Sequence, residues 1–281
     1  MEHTVKQLAS AGLHYTGLAA VARRLVARKG RFVLTLHDVI PERRNDWAAG
    51  SQKGLTRMEA DQLLGWLRHR LPLLTPQAFL AGDQAGVLIT VDDGKANHYT
   101  ELLPLLERHR APALFFVATQ HTRRPDQWLG DSRRAAAAQW PALEDVSGAV
   151  AERLYNGLSE AQLRACDAHE LVTIGAHSDS HPRLPLCSDC QLRGELVASR
   201  DYLEATLGHD TRLFAYPYGD YDERVARAVE AAGYRYAFAV DSRGLGRPHL
   251  EIPRLHIDTS APAYISAKTS GLFRLPIRGL L

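Results

Sequence analysis

The sequence predicts an α/β fold on a parallel sheet, closed into a barrel. Three observations carry that expectation. Short β-rich runs alternate with stretches of helical periodicity along most of the chain. Its 281 residues suffice for one large α/β domain. Ionisable residues recur directly after one strand-like run after another, at the end where a parallel barrel keeps its chemistry.

The elements follow in order. Residues 1–30 read as an amphipathic, basic helix starting after Gly12. Its apolar stretch Leu13 to Ala22 is interrupted by His14, Tyr15 and Thr16, and the basic residues follow it, the reverse of a secretory leader. Two readings stand for it: a helix packed on the domain, or peripheral contact with an anionic inner leaflet. Arg31 to Leu36 is a strand followed by a loop. Thr56 to His69 is a helix, opened by the capping pattern Thr56-x-x-Glu59. Gly86 to Val91 is apolar but for Thr90, as suits a strand buried on both faces. A helix over Tyr99 to His109 and a strand over Ala113 to Ala118 come next. Residues 120–158 lack a period and read as an insertion or lid, in which Trp128 and Trp140 either stack on sugar or anchor the lid. His121, Arg123 and Arg124 there read as a solvated loop, with recognition of anionic groups as the second reading.

Ser159 to Ala168 forms a short helix and Leu171 to Gly175 a strand. Ser188 to Leu207 is a long helix, with Ser188 as N-cap and Gly208 as C-cap. Leu213 to Ala215 and Tyr236 to Val240 are strands around a helix over Asp222 to Ala232. The run Glu251 to Asp258 closes the series. One domain over 31–260 is expected, with a basic tail over 261–281 that carries Lys268, Arg274 and Arg278 and no acidic residue.

Composition narrows the class. Lys plus Arg is 34 and Asp plus Glu 32, a net charge of +2, which argues against a dedicated nucleic-acid binder. No run of about 18 apolar residues is present, so no transmembrane helix is expected. Cys166, Cys187 and Cys190 give an odd count and no disulfide framework, and the Cys187-x-x-Cys190 pair has no second pair to complete a zinc knuckle. Free thiols with no leader point to the cytoplasm, with peripheral contact at the inner membrane as the second reading.

The chemistry gathers at the strand ends. His37 and Asp38 follow the first strand, Asp92 and Asp93 the second, and His177, Ser178 and His181 the run ending in Ala176. Tyr216, Pro217 and Tyr218 follow Ala215, Asp241 follows Val240, and Arg254 and His256 lie in the last run. His177 and His181 are four apart, so on a helical turn both imidazoles face one way. With Asp93 they make two His and one carboxylate, a set that leaves positions open on a divalent ion. Asp92 stays free as a base.

These residues also carry a resemblance. Thr90-Val91-Asp92-Asp93-Gly94 resembles a T-F-D-D-G motif, and His177-Ser178-Asp179-Ser180-His181-Pro182 matches H-S/T-x-x-H-P. Phe214 to Gly219 resembles a third motif, and Ala232-Gly233-Tyr234 with the strand ending at Asp241 sits where a fourth belongs. Over residues 30–258 the chain resembles the NodB-type polysaccharide deacetylases (carbohydrate esterase family 4). The resemblance implies a distorted (β/α)7 barrel. It implies metal-dependent removal of N-acetyl groups from a glycan, oligosaccharide or glycolipid. Zinc is the first choice of ion, then cobalt, nickel or manganese. It makes Asp93, His177 and His181 the ligands, and Asp92 the base for attack of metal-bound water on the acetyl carbonyl. The Tyr218 N–H becomes an oxyanion donor and His256 the general acid. His37, Asp38, Tyr216, Pro217, Arg254 and Asp241 become substrate-side or supporting residues, with Asp241 placed to reach Arg254.

Two departures stand out. Ala215 occupies the place of the family's arginine before P-Y-G, which makes Arg254 the candidate to take over its task. The fifth motif is matched loosely by Leu255-His256-Ile257, so His256 reads either as the acid or as a histidine paired with a carboxylate. Rival functions are hydrolysis of another amide, an imide or an O-acetyl ester on the same ion, and a non-catalytic glycan-binding barrel. The intact Asp92 argues against the last.

Overall fold

The computed structural model describes residues 30–42, 54–125, 156–257 and 264–265. The predicted N-terminal helix, residues 126–155 of the predicted lid with Trp128 and Trp140, and the basic tail apart from 264–265 lie outside the described residues. No described helix is long and apolar enough to cross a membrane.

The chain opens with β1 (Arg31–Leu36) and a short parallel pair, β2 (Val39–Ile40) and β3 (Leu55–Thr56). Helix α1 (Arg57–Arg68) starts at Thr56, whose hydroxyl caps the Glu59 N–H while the Glu59 carboxylate accepts from the Thr56 backbone, the expected capping box. Then come α2 (Pro76–Ala81), β4 (Gly86–Val91), α3 (Leu103–His109), β5 (Ala113–Val117) and α4 (Thr119–Arg123). The second half holds α5 (Glu160–Asp167), β6 (Val172–Ala176), α6 (Asp189–Leu207), β7 (Leu213–Ala215), α7 (Glu223–Ala231), β8 (Tyr236–Ala239), β9 (Ile252–Pro253) and β10 (Leu255–His256).

The main sheet is parallel in the order β10-β1-β4-β5-β6-β7-β8-β9. Its two outer strands belong to one run of chain. Ile252 and Pro253 pair with β8, Leu255 and His256 pair with β1, and Arg254 is the switch between them. The Arg254 N–H still donates to the Ala239 carbonyl, and the Ile257 N–H already donates to Thr35. That run makes the seventh wall segment and closes the sheet, so the fold is the expected (β/α)7 barrel.

Strand alternation sorts the core into two layers. Leu34, Leu36, Ile89, Val91, Phe115 and Val117 face outward, against the helices. Val33, Leu88, Leu114, Phe116 and Phe238 face inward, packed with Leu74 and Phe79. Going up the same inner face, Val33 is followed by Thr35 and His37, and Leu88 by Thr90 and Asp92. The interior therefore grades from apolar, through a Thr35–Thr90 hydroxyl contact of 3.0 Å, to ionisable at the carboxyl ends.

The helix expected over Tyr99 to His109 is present, opening with a π-helix over His98–Leu102 that leads into α3, because Pro104 has no N–H to donate to the Thr100 carbonyl. One expectation needs correction. His121 does not lie in a solvated loop: it is buried on α4, and Arg123 pairs with Asp179.

Candidate metal centre and catalytic cleft

The site lies at the carboxyl ends of the strands, in a cavity of about 700 Å³. Asp92 and Asp93 line it from β4, and His177 and His181 from the loop after β6. His37, Arg254 and His256 line it from the closing seam of the barrel, and Tyr218 from the turn after β7.

Adjacent strand residues normally point to opposite faces, so both carboxylates of an Asp-Asp pair should not reach one cavity. Backbone geometry resolves this. Asp92 follows the inner face of β4, whereas Asp93 and Gly94 take left-handed conformations, with φ of 83° and 74°, and turn the second carboxylate in. Gly94 is required there, since a Cβ would lie 2.8 Å from Val117 Cγ1.

The two histidines also converge by a route other than the expected helical turn. Their loop is not helical: Ser178 and His181 are left-handed, with φ of 62° and 61°. The Ser178 hydroxyl accepts from the His181 N–H at 3.1 Å. Glu195 on α6 accepts from the backbone N–H groups of Asp179 and Ser180 and from the Ser180 hydroxyl, clamping the loop from beneath. The rings end 4.8 Å apart. His177 Nδ1 lies 2.8 Å from the Ala215 carbonyl, to which only a protonated nitrogen can donate, so Nε2 carries the free lone pair.

One donor atom from each of Asp93, His177 and His181 falls within 4.8 Å of the others. The Asp93 oxygen concerned is Oδ1, 3.6 Å from His181 Nε2 and 3.9 Å from His177 Nε2. Burial keeps both imidazoles neutral: it outweighs Asp92 and Asp93 at His177 and, with the neighbouring His177, pushes His181 down to about 4. Burial opposes ionisation of Asp93, but the Lys95 ammonium beside it holds it well below the usual carboxylate range. Two neutral imidazoles and an anionic oxygen, all acceptors aimed at one point, fit a borderline divalent cation such as zinc.

Asp92 faces the same point from the other side. Arg254 donates to it in a bidentate pair, NH1 to Oδ1 at 2.6 Å and NH2 to Oδ2 at 2.8 Å, with both side chains buried. Burial would raise the Asp92 pKa, but the Arg254 guanidinium brings it below its ordinary value. His37 Nε2 stands 3.9 Å from Asp92 Oδ2, and its ring meets that of His256 edge-on at 4.8 Å. His256 is exposed at the rim. Tyr218, left-handed at φ 59°, lies on the turn Pro217–Gly219, and its exposed ring packs on His181.

Several residues expected at the substrate side stand elsewhere. Tyr216 is fully buried, stacked on Tyr221 and donating to the Leu250 carbonyl, so it is a core residue. Pro217 is buried and outside the cavity lining. Asp38 lies behind the metal centre, accepting from Lys95 and Asn97. Asp241 is exposed and away from Arg254, whose guanidinium is committed to Asp92. Sequence reasoning missed Lys95, Asn97 and His98. Their spacing after Asp-Asp-Gly carries no motif, and only the turn at Asp93 and Gly94 brings them back beneath the site.

Fold and site define the class, a barrel hydrolase working at the open end of its strands. A model of the polysaccharide deacetylase family matches residues 81–237, more than half of the chain. The chain belongs to that family, and with it to the hydrolases that remove acetyl groups from carbohydrate. Among curated proteins it is similar to a poly-β-1,6-N-acetyl-D-glucosamine N-deacetylase of Staphylococcus aureus, 22% identical over 227 residues, covering 77% of this chain and 72% of the relative. It is also similar in structure to IcaB from Ammonifex degensii, with a TM-score of 0.65 and 24% identity over 86% of this chain and 97% of that one. The Streptococcus pyogenes deacetylase PplD, solved in complex with acetate, gives a TM-score of 0.65 at 19% identity, over 85% and 96% of the two chains. At these identities the structures establish the shared fold.

Proposed function

We propose that this protein removes N-acetyl groups from acetylated amino-sugar residues of a glycan, with a divalent cation, zinc first, held by Asp93, His177 and His181. The observation that carries the reading is the pairing of two unlike carboxylates. Asp93 faces the two imidazoles, whereas Asp92 is turned to Arg254 and left ionised beside them.

The bound cation supplies Lewis acidity for an acyl oxygen and a lowered pKa for water. The chain's own groups do the rest. Asp92 is anionic at neutral pH and takes the proton of the attacking water, a role worth about 10²- to 10⁴-fold in such reactions. Arg254 keeps Asp92 ionised and fixes its plane. The backbone N–H of Tyr218, on the turn at the cavity wall, serves the developing oxyanion. His256 at the rim delivers a proton to the leaving amine, without which the C–N bond would have to expel an amide anion, and His37 packs against it. The poly-N-acetylglucosamine relative supports an amino-sugar polymer as the substrate class.

The test is acetate release from β-1,6- and β-1,4-linked N-acetylglucosamine oligomers by metal-stripped protein, with and without added zinc, cobalt, nickel or manganese. Metal-restored release is expected. Protein that binds metal yet releases no acetate from any of these would sink the assignment. The acid is tested separately: His256→Gln should lose turnover on the amide but retain it on an O-acetyl ester with a good leaving group. Equal loss on both substrates would remove His256 from that role.

A further inference from the structure

Behind the metal centre lies a buried charge chain that the reaction as derived does not use. The left-handed pair Asp93 and Gly94 folds the chain back so that the side chain of Lys95 returns beneath the carboxylate two residues before it. Lys95 Nζ lies 2.9 Å from Asp38 Oδ2 and 3.4 Å from Asp93 Oδ2, with its side chain 13% exposed. Asp38 is anchored in turn by Asn97, whose Nδ2 donates to Oδ1 at 3.1 Å. The two oxygens of Asp93 are thus divided: Oδ1 faces the imidazoles of His177 and His181, and Oδ2 faces an ammonium.

Ligating carboxylates can chelate a cation through one oxygen or two. A two-oxygen grip would occupy a position that catalysis needs for water or substrate, since catalytic sites keep positions open. An ammonium on Oδ2 opposes that grip by direct charge and by occupying the lone pairs on that side. We propose that Lys95 is a positioning residue that restricts Asp93 to one-oxygen ligation, with Asp38 and Asn97 holding the ammonium in place. The inference rests on the metal reading above. A plainer role, in which Lys95 merely offsets the burial of two carboxylates, predicts no change in coordination when it is removed, so coordination decides between them.

The full chain is loaded with Co(II), whose visible d–d bands are several-fold more intense in four- and five-coordinate sites than in six-coordinate ones. Lys95→Met keeps the length of the side chain and removes its charge. The expected result is a several-fold drop in molar absorption in Lys95→Met relative to the parent, as Oδ2 joins the ion. Should that variant fail to fold, Lys95→Met with Asp38→Asn removes one positive and one negative charge together, and the same drop is expected. A Co(II) spectrum identical to the parent's in the folded variant overturns the proposal while leaving the metal reading intact. A parent protein that takes up no Co(II) overturns both.

Discussion

Replacing Arg254 by methionine tests how the base is kept charged. Methionine is uncharged, close in length, and preserves contact with Phe116, over whose ring the guanidinium now lies at 5.5 Å. The lost interaction is a bidentate pair at 2.6 and 2.8 Å between groups that are 5% and 2% exposed. With charge centres about 4 Å apart and an effective dielectric of about 20, the attraction is about 4 kcal/mol. Losing it removes the strongest interaction that favours the Asp92 carboxylate, so the Asp92 pKa is expected to rise. The sign follows from burial. With its partner gone, desolvation raises the Asp92 pKa, and the base is protonated at pH values where it was anionic. The assay is acetate release as a function of pH for parent, Arg254→Met and Arg254→Lys. The acid limb of kcat/KM should move upward in the methionine variant, less so in the lysine variant, with rates partly recovered at alkaline pH. Stability should fall by roughly 3 kcal/mol, because a buried charge has lost its partner, so rates are compared on protein verified as folded. An acid limb unmoved in Arg254→Met would refute the assignment of Arg254 to the base.

Other predictions follow from the same geometry. Asp92→Asn should retain metal, read by equilibrium dialysis, but lose about 10²- to 10⁴-fold in turnover, whereas His181→Ala should lose both; near-normal turnover in Asp92→Asn would remove it as the base. His98 is buried with Nε2 at 2.6 Å from the His37 carbonyl, and burial pushes its pKa down to about 4. Its neutral form is the folded form, so the unfolded chain gains the proton first. Its contribution is complete above about pH 6.5 and falls away as pH drops towards 4, by roughly 3 kcal/mol in all. Urea midpoints at several pH values should show this slope, and His98→Gln should flatten it. Gly94→Ala places a methyl 2.8 Å from Val117 Cγ1 at φ 74° and should cost about 2 to 4 kcal/mol, read as a lowered thermal midpoint.

Much of the frame was legible because its signals are local. Thr56 and Glu59, Ser188 and Gly208 fix helix ends through caps formed within a few residues. The run Gly86 to Val91, apolar but for Thr90 and rich in β-branched residues, reads as a buried strand without reference to the rest of the chain. The convergence of Asp93, His177 and His181 was legible because strand ends in a parallel barrel share one end. Supporting residues were not. Lys95 and His98 act through a reversal at Asp93 that no periodicity announces, and Glu195 reaches the histidine loop from α6 through tertiary packing. Tyr216 was misplaced because a motif fixes the backbone of a turn and not the face on which each side chain falls. Its hydroxyl finds Leu250, 34 positions on, through tertiary packing alone.

The seam at Arg254 links completeness of the fold to reactivity. The residues proposed to hold the cation lie just after β4 and in the loop after β6, both well before the last wall segment in chain order. The guanidinium that keeps Asp92 ionised arrives only with the run that joins β8 to β1. The residues proposed to hold the cation and the guanidinium paired with Asp92 thus come from separate stretches of the chain's route round the barrel. The last stave of the barrel completes two things at once, the wall of the sheet and the charge pair at Asp92.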